Sequence, residues 1–524
     1  PVLTSLTPTS GGAGTVVTLR GTNFGDTKHS VCQVSFGDTT AVTVRRISDT
    51  EIQATVPVGA TSGGVVIRSN GVASQALDFQ VISRLSLMPN GVGLYPGSTY
   101  TYSFQALNDR GEVMAAPFVS WALRDPSLGT ISAQGTFQAN SEGVTELEVR
   151  SGVVSSASWV GVSRYRATTL YGNGVDVNTG DGGSARQASF HRPYTLALDA
   201  SGSLYVCDGS SSIIRRISSE GVISRFAGLG GDTKATGDEG PALDATLGDY
   251  ANLAVDARNR LWISSSNNHV IRFIPLDDRD PAYRAGYIYR AAGTGSPGYS
   301  GSGLSGPQTA FNHPSRLFPS VEGMYVADYD NHRIRLIRPD FTVVDVLGTG
   351  LFPLLSGPTP EAIANISYPL GCALDAQGNM MIAGRKQLIF WCRTTGTYFG
   401  KSMQAGWVYP LLDVVTQRPF IGDGPLSSAS YLTATPLSLW FDAKGACWFA
   451  EGCLVRRMTA QGRIETIAGK ALEAAYRQSF GFDGEGTNAL ASSIGDVADL
   501  LVVGPRILVA DPVYSRIRQL EPRE

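Results

Sequence analysis

GDGGSARQASFHRPYTLALDASGSLYVCD, residues Gly180–Asp208, decides the reading of this chain. It opens on an acidic, glycine-rich turn and then alternates short apolar runs with small polar residues. Tyr194–Asp199 reads as a strand, Ala200–Ser203 as a tight turn and Leu204–Cys207 as a second strand. Ile213–Ile217 and Val222–Ala227 follow as a third and a fourth, split by a turn at Glu220–Gly221. Short runs bounded by Gly, Ser, Asp or Asn are the pattern of β-hairpins. Four of them make one antiparallel sheet with two apolar faces, so the unit needs a neighbour on each side.

The pattern recurs to the C-terminus, with turn glycines at Gly182, Gly240, Gly303, Gly357, Gly424 and Gly484, 54–67 residues apart. A period this long, filled with short strands, means a radial or stacked repeat architecture. Five of the six third strands keep an arginine after an aliphatic residue: Arg215, Arg272, Arg335, Arg456 and Arg518. Asp208, Asp328 and Asp511 each stand seven residues before such an arginine. A pair that recurs repeat by repeat reads as a structural ion pair, since arginine's rigid fork suits that role. An anion-binding ring of arginines is the functional alternative. The last repeat lacks a fourth strand, whereas Ser163–Gly172 precedes the first and resembles one. Arg166, Thr168 and Leu170 are therefore expected in a closure strand that pairs with Ser515–Gln519. The expected fold is all-β, two immunoglobulin-like β-sandwiches followed by a six-bladed β-propeller over 164–524 with circular closure by that N-terminal strand.

Asn331-His332-Arg333-Ile334-Arg335 and Asn268-His269-Val270-Ile271-Arg272 carry a motif that resembles NHL repeats. The resemblance spans about 350 residues. It implies a β-propeller that serves as a recognition platform. The fourth repeat departs from it: Gln387–Phe390 has no arginine, and an insertion runs roughly over Thr394–Arg418.

Upstream, residues 1–82 alternate in strand fashion without helical periodicity. Leu6-Thr7-Pro8, Ser10-Gly11-Gly12, Leu19–Gly25 and Ile52–Pro57 occur in the order of an IPT/TIG domain, which this region resembles. Residues 83–163 resemble a bacterial Ig-like domain of surface adhesins through Asp109-Arg110-Gly111, Trp121, Gly129-Thr130-Ile131 and Gly135-Thr136-Phe137. These resemblances imply a spacer ahead of the repeats and an extracellular or cell-surface location. They also imply a protein or carbohydrate ligand on a propeller face.

Net charge is −3 over 524 residues, and the arginines of the first 82 residues are scattered, which argues against a nucleic-acid partner. No apolar run is long enough for a membrane-spanning helix. Six cysteines are present without CxxC spacing; Cys447 with Cys453, and Cys372 with Cys392, are the pairs that hairpin geometry could bring together. No GxSxG elbow, HExxH helix or P-loop occurs. Of the five histidines, His29 stands apart. His191 and His313 share one repeat position, His269 and His332 another. Equivalent histidines read as turn-packing residues, and no cofactor or catalytic residue is expected. The alternative is a propeller lyase or hydrolase that holds zinc through His191, His269, His313 or His332. This is implied by resemblance to peptidyl-hydroxyglycine lyases. The turns GDGG (Gly180–Gly183), GDEG (Gly237–Gly240) and DGEG (Asp483–Gly486) offer oxygen ligands for calcium but lack EF-hand spacing, so tight turns are the first reading.

Overall fold

The computed structural model describes residues 1–25, 31–89, 91–115, 117–231, 233–248, 251–415, 423–426, 431–470 and 482–523. His29 and positions 416–418 of the expected insertion lie outside them. Two compact units are present, Pro1–Val162 and Ser163–Glu524.

The first unit is built entirely of β-strands. Val2–Thr7, Val16–Thr22, Glu51–Thr55 and Val44–Arg46 form one sheet, packed on a second that contains Cys32–Phe36 and Gly63–Ser69. Strict alternation puts Val17, Leu19, Val34, Phe36, Ile52, Val65 and Ile67 into one core, capped by Phe24. Strand Leu77–Met88 belongs to this second sheet and also pairs with Ser103–Asn108 further on, so the residue-82 boundary falls inside a continuous strand. A second core gathers Phe137, Leu147, Val149 and Val160, with Trp121 against Phe104 at its margin.

In the second unit each repeat yields one antiparallel sheet, and the strand order follows the chain. The local cause is a recurring aspartate. Asp199 Oδ1 accepts from the backbone N–H of Ser201 and Ser203. Asp256, Asp375 and Asp442 cap the same turn in their repeats. These Asx turns fix the first hairpin of each sheet. Gly202, Gly378 and Gly445 take the left-handed position that the turn requires, and Asn259 takes it in the second repeat. The head of each repeat then folds back on its own sheet's outer strand, as at Gly240–Pro241 on Ile288–Tyr287 and Gly424–Pro425 on Ile464–Arg463. The insertion in the fourth repeat is a small hairpin, Gly396–Tyr398 with Lys401–Met403, before the outer strand Trp407–Val414.

The first strands of the sheets are Pro193–Leu198, Ala251–Val255, Pro314–Ser320, Pro369–Leu374, Pro436–Phe441 and Asp499–Val503. Each contacts the next, and the sixth contacts the first. These are the inner strands, and the unit is propeller-like. The expected circular closure is corrected, however: among the described residues no sheet closes on itself. Among the described residues every hydrogen-bonded ladder is open, with two ends, and neighbouring sheets meet through side chains, joined by backbone only where Tyr431–Leu432 of the fifth repeat pairs parallel with Asp413–Val414 of the fourth sheet. Tyr165–Tyr171 extends the sixth sheet by pairing antiparallel with Arg516–Pro522, but it has a ladder on that side alone, and only the bridge Arg166–Asn488 on the other. The physical reason is that each sheet buries its two apolar faces against its neighbours, so the sheets are joined by side-chain packing and need no continuous ladder.

Candidate functional site

The third-strand arginines are the largest fully buried side chains among the described residues. Arg215 donates from Nη1 to Ser189 O (2.6 Å) and from Nη2 to Thr179 O (3.0 Å), and it meets Asp181 at 2.8 Å. Arg272 repeats this with Thr246 O (2.7 Å), Thr236 O (2.7 Å) and Asp238 (2.7 Å). Arg335 donates to Ala310 O and Gly301 O and stands 2.9 Å from Asp345, without hydrogen-bond alignment at Nε. Arg456 is held between Glu451 and Asp423. Arg518 donates to Ser493 O and faces Glu485 at 3.5 Å. Each arginine thus ties the folded-back head of its repeat to the third strand.

The aspartates seven residues earlier lie farther away. Asp208 is 3.7 Å from Arg215 and Asp328 is 3.5 Å from Arg335. Asp511 instead accepts from the N–H groups of Gly495 and Tyr514. Burial pushes these carboxyls up, to about 7 for Asp208 and about 6 for Asp328 and Asp511. The nearer partners Asp181, Asp238 and Glu485 come from the acidic turns, so those carboxylates face guanidinium groups.

Of the closure-strand residues, Thr168 pairs with Gln519, Arg166 forms a salt bridge with Glu521, and Leu170 packs in the core between the first and sixth sheets. The four repeat histidines do not converge. His269 Nδ1 accepts from the backbone N–H of His313 (3.1 Å), and their rings meet edge-on at 4.7 Å. His332 Nδ1 accepts from Tyr368 N–H (3.2 Å). His191 lies by Ser211, at 3.3 Å, and His313 by Asp330, at 2.6 Å. Burial lowers the pKa of His269 and of His332. Among the described residues no group of three or more His, Cys, Asp or Glu is placed to hold a metal ion. Cys372, Cys392 and Cys447 are free thiols, so neither pair that hairpin geometry could bring together is bridged.

The inner strands enclose a cavity of ≈ 390 Å³. Register across each first hairpin makes Thr195, Asn252, Arg316, Gly371, Ser438 and Asp499 equivalent positions. All six are polar or glycine. The next position is apolar in every repeat: Leu196, Leu253, Leu317, Cys372, Leu439 and Leu500, all lining the cavity. The ladder shifts register between Pro314 and Leu317 and between Pro436 and Leu439, so Arg316 and Ser438 sit in bulges, a device that re-aims side chains.

Arg316 of the third sheet reaches Asp499 of the sixth at 2.6 Å and also donates to Ala498 O. Its stem passes over Gly371, where a Cβ would stand 2.9 Å from Arg316 Cδ. Asp499 is saturated: Oδ1 accepts from Arg316, from Ser438 Oγ (2.7 Å) and from Leu500 N–H (2.9 Å), and Oδ2 accepts from Leu196 N–H (2.9 Å). Phe318 and Trp440 face one another edge-on beside this pair. Arg316 and Asp499 were not singled out by sequence; the signal was the six-row column of polar or glycine residues beside an apolar column.

Residues 1–81 match the IPT/TIG domain. Residues 172–236 match the Teneurin NHL domain. The chain is 30% identical over 171 residues to NHL repeat-containing protein 2 of Bos taurus, and 31% identical over 172 residues to that of Homo sapiens. Those matches span 30% and 31% of this chain but only 22% and 23% of the relatives. Among solved structures, an auxiliary nutrient binding protein from Bacteroides ovatus is similar at 14% identity and a TM-score of 0.45, covering 100% of this chain and 98% of that one. A virginiamycin B lyase from Staphylococcus aureus covers 77% of this chain and 99% of its own at 12% identity and a TM-score of 0.36.

Proposed function

We propose that the chain is a non-catalytic recognition module, extracellular or at the cell surface, whose propeller-like unit takes a small ligand in the cavity among its inner strands. The observation that carries this reading is the Arg316–Asp499 pair set in an apolar wall. A cavity of ≈ 390 Å³ has the size of a small-molecule site, and such sites join apolar walls to a few fixed polar groups. Residues 83–163 act in this reading as an immunoglobulin-like spacer. Of protein, carbohydrate and small apolar ligands, the wall of leucines with Phe318 and Trp440 suits the last.

A fragment library screened by saturation-transfer NMR tests this reading. Hits should compete with one another and vanish in Val503→Phe, which fills the cavity from its wall without touching the ion pair. Hits unaffected by that substitution would place recognition elsewhere. Protease treatment of intact source cells tests location, with surface cleavage expected.

A further inference from the structure

Arg316 finds its partners three sheets away in the cyclic order, and its side chain is 16% exposed while those of the third-strand arginines are 0% exposed. Of its five N–H donors, the bonds to Asp499 and Ala498 O use two and leave three. Asp499 has no comparable spare capacity, since four donors already converge on it. The polar floor of the cavity is therefore a donor surface. It is also charge-neutral, because the arginine's positive charge is matched by the aspartate beside it.

These two properties select the ligand. An acceptor is required to meet spare N–H groups. A full negative charge is not rewarded, because the acceptor would be stripped of water beside a carboxylate and with no net positive charge to compensate. The wall above the floor, formed by Leu198, Val255, Leu317, Phe318, Trp440 and Leu501, demands an apolar body. We propose that the cavity binds a neutral, largely apolar molecule carrying a carbonyl-type acceptor, which docks on the free N–H groups of Arg316. This rests on the recognition reading above and gives it a ligand class.

The wild-type protein alone supplies the decisive comparison, using acetophenone, ethylbenzene and benzoate, three probes of similar size. By NMR titration the ketone should bind about ten-fold more tightly than ethylbenzene, the increment expected of one charge-assisted hydrogen bond. Benzoate should bind no better than ethylbenzene. Arg316→Met should bring ketone and ethylbenzene to equal affinity while ethylbenzene still binds. Equal binding of all three probes to the wild-type protein overturns the ligand class but leaves the cavity as a site. Tightest binding by benzoate overturns it in favour of an anion site. No binding by any probe overturns the recognition reading as well. If Arg316→Met does not fold, the selectivity of the wild-type protein decides the question.

Discussion

The third-strand arginines and Arg316 are both guanidinium groups inside one unit, yet they are built in opposite ways. Arg215 and Arg272 each bond two backbone carbonyls and a carboxylate drawn from their own repeat, at matching sequence offsets. Arg316 bonds residues 182 and 183 positions later and stands where the other repeats carry Thr, Asn, Gly, Ser or Asp. Repetition marks what every sheet needs to fold. A residue that departs from its column, and around which another repeat gives way to glycine, marks what only one molecule-wide site needs. The comparison can be broken or sharpened by substitution.

The largest expected effect is at Arg272. Arg272→Met leaves the carbonyls of Thr246 and Thr236 without a donor in the interior and leaves Asp238 with Arg290 alone. Breaking a buried pair on one side costs about 3–5 kcal/mol, so the melting temperature should fall steeply or the unit should not fold. Arg316→Met should cost less, about 1–3 kcal/mol, because Ser438, Leu196 and Leu500 still donate to Asp499. Chemical denaturation of both variants checks the order. Equal losses would erase the distinction between the two kinds of arginine.

Gly371→Ala probes the same contrast more gently. The added methyl meets the Arg316 stem at 2.9 Å, an overpacking that costs about 1 kcal/mol if the side chain shifts. Its stability loss should be small and its loss of acetophenone binding large. The reverse outcome would mean that Gly371 serves the strand rather than Arg316.

The repeats were legible because their turn chemistry is written locally. Gly182, Asp199 and Gly202 announce hairpins, and the arginine column announces a shared structural role. Two of the pairs read across a hairpin stand, Asp208 with Arg215 and Asp328 with Arg335, but a spacing of seven residues does not show the closer carboxylates, which for Arg215, Arg272 and Arg518 arrive with the acidic turn. Asp181 lies 34 residues before Arg215, and only the fold-back of the repeat head brings them together. The closure went wrong for a related reason. A missing fourth strand shows that Tyr165–Tyr171 has a place in the last sheet, but sheets joined by side-chain packing need no continuous ladder between them. Arg316 was invisible one repeat at a time. A pair joined across 183 residues leaves no local trace, and only the six-row column exposes it.

The smallest effect concerns the histidines, which stand on the repeated side of the comparison. His269 and His332 each take a left-handed backbone conformation and accept, through Nδ1, the N–H of a residue in the next repeat. That bond needs the neutral ring. Burial is the main cause that lowers the pKa of His332; Asp330 opposes it and Arg333 adds to it, and the rings of Tyr368 and Phe352 cover the group. A histidine whose folded pKa is lowered gives stability that is present above the ordinary value of about 6.5 and is lost as pH falls through the folded value, since the unfolded chain takes up the proton first. His332→Asn isolates this term. Asparagine tolerates the left-handed conformation, offers an oxygen close to the Nδ1 position and does not titrate. At pH 8 the variant should melt within a few degrees of the wild-type protein, and between pH 7 and 5 its melting temperature should fall less. Probe binding in the cavity should be unchanged. A parallel pH dependence in the two proteins would remove His332 as the source, and altered probe affinity would move this histidine from the repeated scaffold to the site.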